Sequence, residues 1–126
     1  MTDEGLLSMD SKWREQARCS DLCHLGGMDP ELFFPPRKKG LYQQSATVAK
    51  KVCNGIPDRD VPPCPVRSTC LVDAIRVGDT WSIRGGLSNR ERKALLRKWA
   101  DVSLLYILED AEAIDLANRV LARRRR

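Results

Sequence analysis

The sequence predicts an all-α protein, on three observations. Apolar residues recur at helical spacing in several stretches, no segment alternates apolar and polar residues long enough to make a strand, and prolines and glycines fall between the periodic stretches. A chain of 126 residues holds one modest core and not two independent ones. With 42% hydrophobic but only 6% aromatic residues, a core of this size would gain from a cross-link or a metal.

Residues 1–10 read as a flexible leader. Residues 11–18, SKWREQAR, favour a short helix that Gly26, Gly27 and Pro30 interrupt. Glu31-Leu32-Phe33-Phe34-Pro35-Pro36 predicts a packed connector, non-helical or briefly helical, and residues 37–40 a turn. Residues 42–52 read as a helix with Ala46, Ala49 and Val52 on one face, ending near Gly55. The three prolines and one glycine of residues 54–63 make a loop. The next helix is expected to start at Pro65 and run to about Val77, with a turn through Gly85 and Gly86 after it. Ser88 and Glu91 have capping-box spacing, and a helix should follow. From Leu104, positions 104, 107, 108, 111, 114, 117 and 121 form one helical stripe, either continuing that helix or starting after a break near Asp101. The expected organisation is a leader (1–10), a cysteine-bearing domain (11–98), and a C-terminal helix with a basic tail (99–126).

Net charge is +5, and its distribution says more than its size. Residues 84–98 hold Arg84, Arg90, Arg92, Lys93, Arg97 and Lys98 against the single acid Glu91. Residues 101–118 hold five acids and no Lys or Arg, and Arg123, Arg124, Arg125 and Arg126 follow. Such segregation suggests separate contact surfaces. Arg90, Arg92, Lys93, Arg97, Lys98 and the four final arginines would neutralise DNA phosphates, against the plainer reading of a solvated face.

The five cysteines are Cys19, Cys23, Cys53, Cys64 and Cys70, an odd count that suits a disulfide framework poorly. The first residues carry acids where an export signal needs a basic start and an apolar run, and no segment has the length of a membrane span, so a cytoplasmic protein with reduced thiols is expected. On one uninterrupted helix Cys64 and Cys70 would stand about 240° apart. With Cys64 before the helix and Cys70 within it, both can face one site, joined by Cys53 from the preceding helix and Cys19 from the N-terminal segment. Thiolates converging in this way suit a zinc centre or an iron–sulfur cluster. No C-x2-C pair is present, while Cys19 and Cys23 form a C-x3-C pair that keeps zinc open. His24, beside Cys23, is more simply a solvent-exposed residue than a spare ligand.

Five blocks resemble the WhiB-like family of actinobacterial and actinophage iron–sulfur transcriptional regulators. They are Trp13-x5-Cys19, Asp29-Pro-Glu-Leu-Phe-Phe-Pro35, Ala49-Lys-Lys-Val-Cys53, Cys64-Pro-Val-Arg-x2-Cys70-Leu71 and Arg84-Gly-Gly-Leu-Ser-x-Arg-Glu-Arg92, in the family's order. The resemblance implies a small helical domain organised around one [4Fe–4S] cluster per chain, held by Cys19, Cys53, Cys64 and Cys70, with Cys23 as the alternative first ligand. It implies a cytoplasmic regulator, not an enzyme, with a cluster sensitive to oxygen or nitric oxide. As partners it implies the C-terminal region of the principal sigma factor, and DNA. The chain would act as a monomer or a sigma heterodimer, away from membranes. Sigma contact would fall to Trp13, Phe33, Phe34, Trp81, Gly85 and Gly86. Two departures stand out. Ten residues separate Cys53 from Cys64 where the family usually has two, an extension from about three to eleven residues of loop that costs roughly 1 kcal/mol in closure entropy. Arg84 stands where the family's glycine-rich turn commonly carries tryptophan. The alternatives are a zinc-stabilised nucleic-acid-binding module, or a thiol–disulfide reductase in the cluster-free state.

Overall fold

The computed structural model describes residues 11–19, 30–35 and 41–124. Among them, a 3-10 turn over Ser11–Gln16 and another over Pro30–Phe33 precede helix α1 (Leu41–Asn54). A 3-10 turn over Pro57–Arg59, helix α2 (Arg67–Val77), helix α3 (Asn89–Lys98), a 3-10 segment over Ala100–Tyr106 and helix α4 (Asp110–Arg124) follow. No strand occurs among the described residues, only two isolated bridges, Ile56 with Val61 and Arg84 with Leu87. The expected leader, the break at Gly26 and Gly27 and the turn at 37–40 lie outside them.

Local chemistry sets the helix ends. α1 buries Ala46, Ala49, Val52 and Cys53, and Gly55 leaves it at φ 75° with its N–H on the Lys51 carbonyl at 2.9 Å. α2 begins at Arg67, two residues after the expected Pro65, because residues 65–66 form a turn. It ends in a Schellman motif: Gly78, at φ 69°, donates to Ile75, and Asp79 donates to Ala74. α3 carries the capping box in full, with Ser88 Oγ accepting from Glu91 N at 3.2 Å and Glu91 Oε1 accepting from Ser88 N at 3.0 Å.

Trp99 is extended (φ −124°, ψ 117°), so α3 stops there. The chain then takes a 3-10 path and restarts at Asp110, which corrects the single stripe expected from Leu104. Leu104 and Ile107 are exposed, and so is Ala111; the buried residues are Val102 and Leu105 on the 3-10 segment and Ala113, Leu116, Ala117, Val120 and Leu121 on α4. The break shifts the phase of the pattern, so Leu104, Ile107 and Ala111 face solvent while Leu108, Ile114, Ala117 and Leu121 meet the core.

Two cores result. The larger joins Leu71, Val72 and Ile75 of α2, Leu95 of α3, Val102 and Leu105, and the inner face of α4. It runs across the expected 98/99 boundary. The smaller joins Phe33, the inner face of α1 and Ile83. Cys53 belongs to the smaller core and Cys70 immediately precedes Leu71 of the larger one, so the cysteines lie where the two meet.

Candidate metal centre

Cys53 is the penultimate residue of α1, Cys64 lies ahead of α2, Cys70 is the fourth residue of α2, and Cys19 follows the Ser11–Gln16 turn. Hydrogen bonds hold these stretches together. The Cys64 N–H reaches the Cys53 carbonyl at 2.9 Å, and the Arg18 N–H reaches Cys64 Sγ at 3.4 Å. The intervening loop closes on itself through the Ile56–Val61 bridge, while the Arg18 guanidinium donates to the carbonyls of Val52, Pro62 and Pro63. All four thiols line one small cavity. Cys19, Cys53 and Cys70 also line an adjoining cleft of about 390 Å³, walled by Trp13, Phe33, Phe34, Ile83 and Arg84. No disulfide joins any two of the described cysteines. Nor do the described residues offer a group of three or more His, Cys, Asp or Glu that could hold a single metal ion.

The Gly85-Gly86 turn presses against this site. Both glycines have positive φ, 63° and 81°, the backbone of a type I′ turn closed by Arg84 N to Leu87 O (3.0 Å) and Leu87 N to Arg84 O (3.1 Å). A Cβ on Gly85 would stand 2.7 Å from the Leu71 Cβ. Asn54 Nδ2 donates to the Gly86 carbonyl at 3.2 Å, and Arg67 donates to Asn54 Oδ1, clamping the turn between the end of α1 and the start of α2. The backbone N–H of Gly86 is directed at the Cys53 sulfur and that of Gly85 at Cys70.

Burial pushes the Cys53 thiol up to about 12, the other cysteines add to the rise, and the Gly86 N–H only partly opposes it. Burial also raises Cys70, against the charge and hydrogen bond of Arg84 and the N–H of Gly85. Burial acts to lower the Arg84 guanidinium, but Cys70 and Asp73 prevail and hold it above its ordinary value, hence charged. Asp73, 1% exposed, accepts from Arg84 Nη2 at 2.6 Å and from Arg14 Nη2 at 3.3 Å. Asp79 accepts the backbone N–H groups of Trp81 and Ser82 at 2.8 and 3.0 Å.

Phe34 and Trp81 are exposed, at 52% and 61%, whereas Phe33, Gly85 and Gly86 are buried. Trp13 packs on the larger core, and its buried Nε1–H has no acceptor among the described residues. Arg90, Lys93, Arg97 and Lys98 are exposed on α3. Arg92 is not: at 3% exposure it donates to the Leu87 carbonyl at 2.8 Å and the Asp79 carbonyl at 3.0 Å, which removes it from the expected phosphate-binding set. Arg123 pairs with Asp101 through both Nη atoms and lies over the Trp99 ring; Arg124 pairs with Glu91. Cys23, His24, Arg125 and Arg126 lie outside the described residues.

Sequence reading missed Asp73, Asp79 and Arg18. Asp73 had a signal: it is the one charge in Leu71-Val72-Asp73-Ala74-Ile75, and an acid within such a run needs a buried partner.

A helical chain whose cysteines meet beside a Gly-Gly turn is the arrangement the five sequence blocks predict. The chain belongs to the WhiB family: the model described as Transcription factor WhiB matches residues 13–95. Among its relatives is Transcriptional regulator WhiB1 of Mycobacterium tuberculosis, 38% identical over 86 residues, covering 68% of this chain and 86% of that one. Transcriptional regulator WhiB1 of Bifidobacterium longum is 37% identical over 86 residues (68% and 78%). Transcriptional regulator WhiB of Streptomyces coelicolor is 41% identical over 83 residues (66% and 74%). The protein is thus a transcriptional regulator of this family. Among the described residues no helix is long and apolar enough to cross a membrane.

Proposed function

We propose that this regulator holds one [4Fe–4S] cluster per chain on Cys19, Cys53, Cys64 and Cys70, and acts by docking on the C-terminal region of the principal sigma factor and contacting DNA. The observation that carries this reading is the convergence of four thiols, from separate stretches of chain, on one small cavity that opens into a larger cleft. The donor set fits the group: thiolates are the usual ligands of such clusters. Burial and the neighbouring cysteines hold Cys53, and burial holds Cys70, toward the protonated state until positive charge from bound iron opposes it. The unsatisfied Trp13 Nε1–H leaves a donor that an acceptor in the cleft would satisfy.

When bound, the cluster supplies reactivity toward oxygen or nitric oxide. The chain's own groups do the rest. The N–H groups of Gly85 and Gly86 and the guanidinium of Arg84 face ligand sulfurs, which steadies them and tunes their charge. Phe34, beside the cleft, and Trp81, in the loop leading to Ile83, offer exposed aromatic area, the side-chain type that anchors protein interfaces. Arg90, Lys93, Arg97 and Lys98 offer a basic face for phosphates.

Anaerobic purification followed by iron, sulfide and zinc analysis, an absorption spectrum, and co-purification with the principal sigma factor tests the reading. Equal iron and sulfide, a brown colour that bleaches in air or nitric oxide, and sigma factor in the same fraction are expected. Stoichiometric zinc without iron, in a colourless and air-stable protein, would overturn it.

A further inference from the structure

We propose that Arg84 sets the reduction potential of the cysteine site, by holding a fixed positive charge between the Cys70 sulfur and the buried Asp73 carboxylate. The inference rests on the cluster reading above. Cys70 and Asp73 are three residues apart on α2 and therefore neighbours on one helix face. Arg84 reaches the second of them, donating through Nη2 to Asp73 Oδ2 at 2.6 Å, and lines the cleft beside the first. Its side chain is only 16% exposed and lines the cleft with Cys19, Cys53 and Cys70.

The guanidinium has little freedom to leave. Its backbone is fixed by the paired hydrogen bonds with Leu87, its Nη1 stands 3.7 Å from Asp79, and its Cζ lies 6.0 Å from the centre of the Trp13 ring. Arg14 shares the same Asp73 oxygen and Arg92 stands 3.6 Å from Asp79, so the two acids near Arg84 do not cancel the positive charge facing the sulfurs.

One-electron reduction adds a negative charge to a site already carrying thiolates. A cation held beside a ligand sulfur stabilises that reduced form more than the oxidised one, and low local polarity strengthens the difference. Arg84 is thus a positioning and tuning residue, distinct from the ligands themselves.

The test uses anaerobically reconstituted full-length protein, reduced with dithionite through mediators and followed by electron paramagnetic resonance. Wild type is compared with Arg84→Gln, Arg84→Lys and the double variant Asp73→Asn with Arg84→Gln, after iron and sulfide are counted in each. Arg84→Gln should shift the oxidised-to-reduced ratio at fixed potential about tenfold toward oxidised, equivalent to 59 mV for a one-electron couple. Arg84→Lys should recover most of that shift. The double variant removes the buried acid together with its cation, so it should shift the same way but by less than Arg84→Gln, because the cation is the nearer charge to the sulfurs; it keeps the test open if Arg84→Gln folds poorly. Fully loaded variants with the wild-type potential would overturn this inference alone, as would a lysine variant shifted as far as the glutamine one. Wild-type protein that takes up no iron or sulfide would overturn the cluster reading, and this inference with it.

Discussion

Replacing Arg92 separates two roles that sequence reading could not tell apart. The residue lies in a run of exposed basic side chains, yet its guanidinium is buried and donates to the carbonyls of Leu87 and Asp79, with the Asp79 carboxylate 3.6 Å away. Hydrogen bonds from a charged donor contribute roughly 1.5–3 kcal/mol each, so the two are worth about 3–6 kcal/mol together. The Leu87 carbonyl also accepts the Arg84 N–H, so truncation does not leave it unpaired, and the lower half of that range applies. Arg92→Ala should therefore destabilise the protein by about 3–4 kcal/mol, a large part of the stability of a small domain. The exposed Lys93→Ala and Arg97→Ala should change stability by no more than about 0.5 kcal/mol. In DNA binding the order should reverse: each exposed variant should lower the slope of log affinity against log salt by roughly 0.9, and Arg92→Ala should leave it unchanged. Urea unfolding followed by circular dichroism gives the first quantity, and fluorescence anisotropy with a duplex across a salt series gives the second. An Arg92→Ala protein of wild-type stability that had lost one unit of salt slope would refute the structural assignment.

Three further outcomes are expected. Gly85→Ala should cost about 2–5 kcal/mol by calorimetry, combining roughly 1–2 kcal/mol for a left-handed non-glycine residue with about 1–3 kcal/mol for crowding Leu71; a wild-type melting temperature would count against the close approach. Leu105→Ala should cost about 2–5 kcal/mol, and deletion of residues 99–126 should abolish cooperative urea unfolding, because Leu105 and α4 complete the larger core; a cooperatively folding 1–98 fragment would show the core closes without them. Stability should also fall in acid. Burial raises the Asp79 carboxyl, but Ser82, Trp81 and Arg92 hold it below its ordinary 3.8; burial likewise raises Glu91, but Lys50, Ser88 and Arg124 hold it below 4.5. Both contributions are fully present above the ordinary values and are lost as pH drops below them through the folded values. The urea midpoint should thus decline below about pH 4.5 and decline less in Asp79→Asn with Glu91→Gln; a midpoint that rose on acidification would contradict these contacts.

What could be read from sequence was what local chemistry decides. The capping box at Ser88, the exit of α1 at Gly55, and the inner face at Ala46, Ala49 and Val52 all depend on residues a few positions apart. The placement of Cys64 before α2 and Cys70 within it followed from helical geometry and the prolines around them. The C-terminal pattern was misread because periodicity presumes an unbroken helix. The extended Trp99, held between Lys98 and Arg123, and the 3-10 segment after it turn Leu104 and Ile107 outward. Arg92 was misread for a related reason: charge says nothing of burial when the partners are main-chain carbonyls thirteen and five residues away. Asp73 and Arg84 find each other eleven positions apart, across the end of α2 and the loop after it, a path over which spacing rules carry no information.

The stretch between Cys53 and Cys64 has a practical consequence. Its ends are joined by the Cys64–Cys53 main-chain hydrogen bond and its stem by Ile56 and Val61, while Arg18 fastens the returning prolines. The tip, Pro57 to Asp60, is exposed and contributes nothing buried. Length at that tip is therefore decoupled from the positions of the two thiols beneath it. It is a natural grafting port, where a fluorophore or an affinity epitope can be inserted between Asp58 and Arg59 to report from beside the cysteines without entering their surroundings.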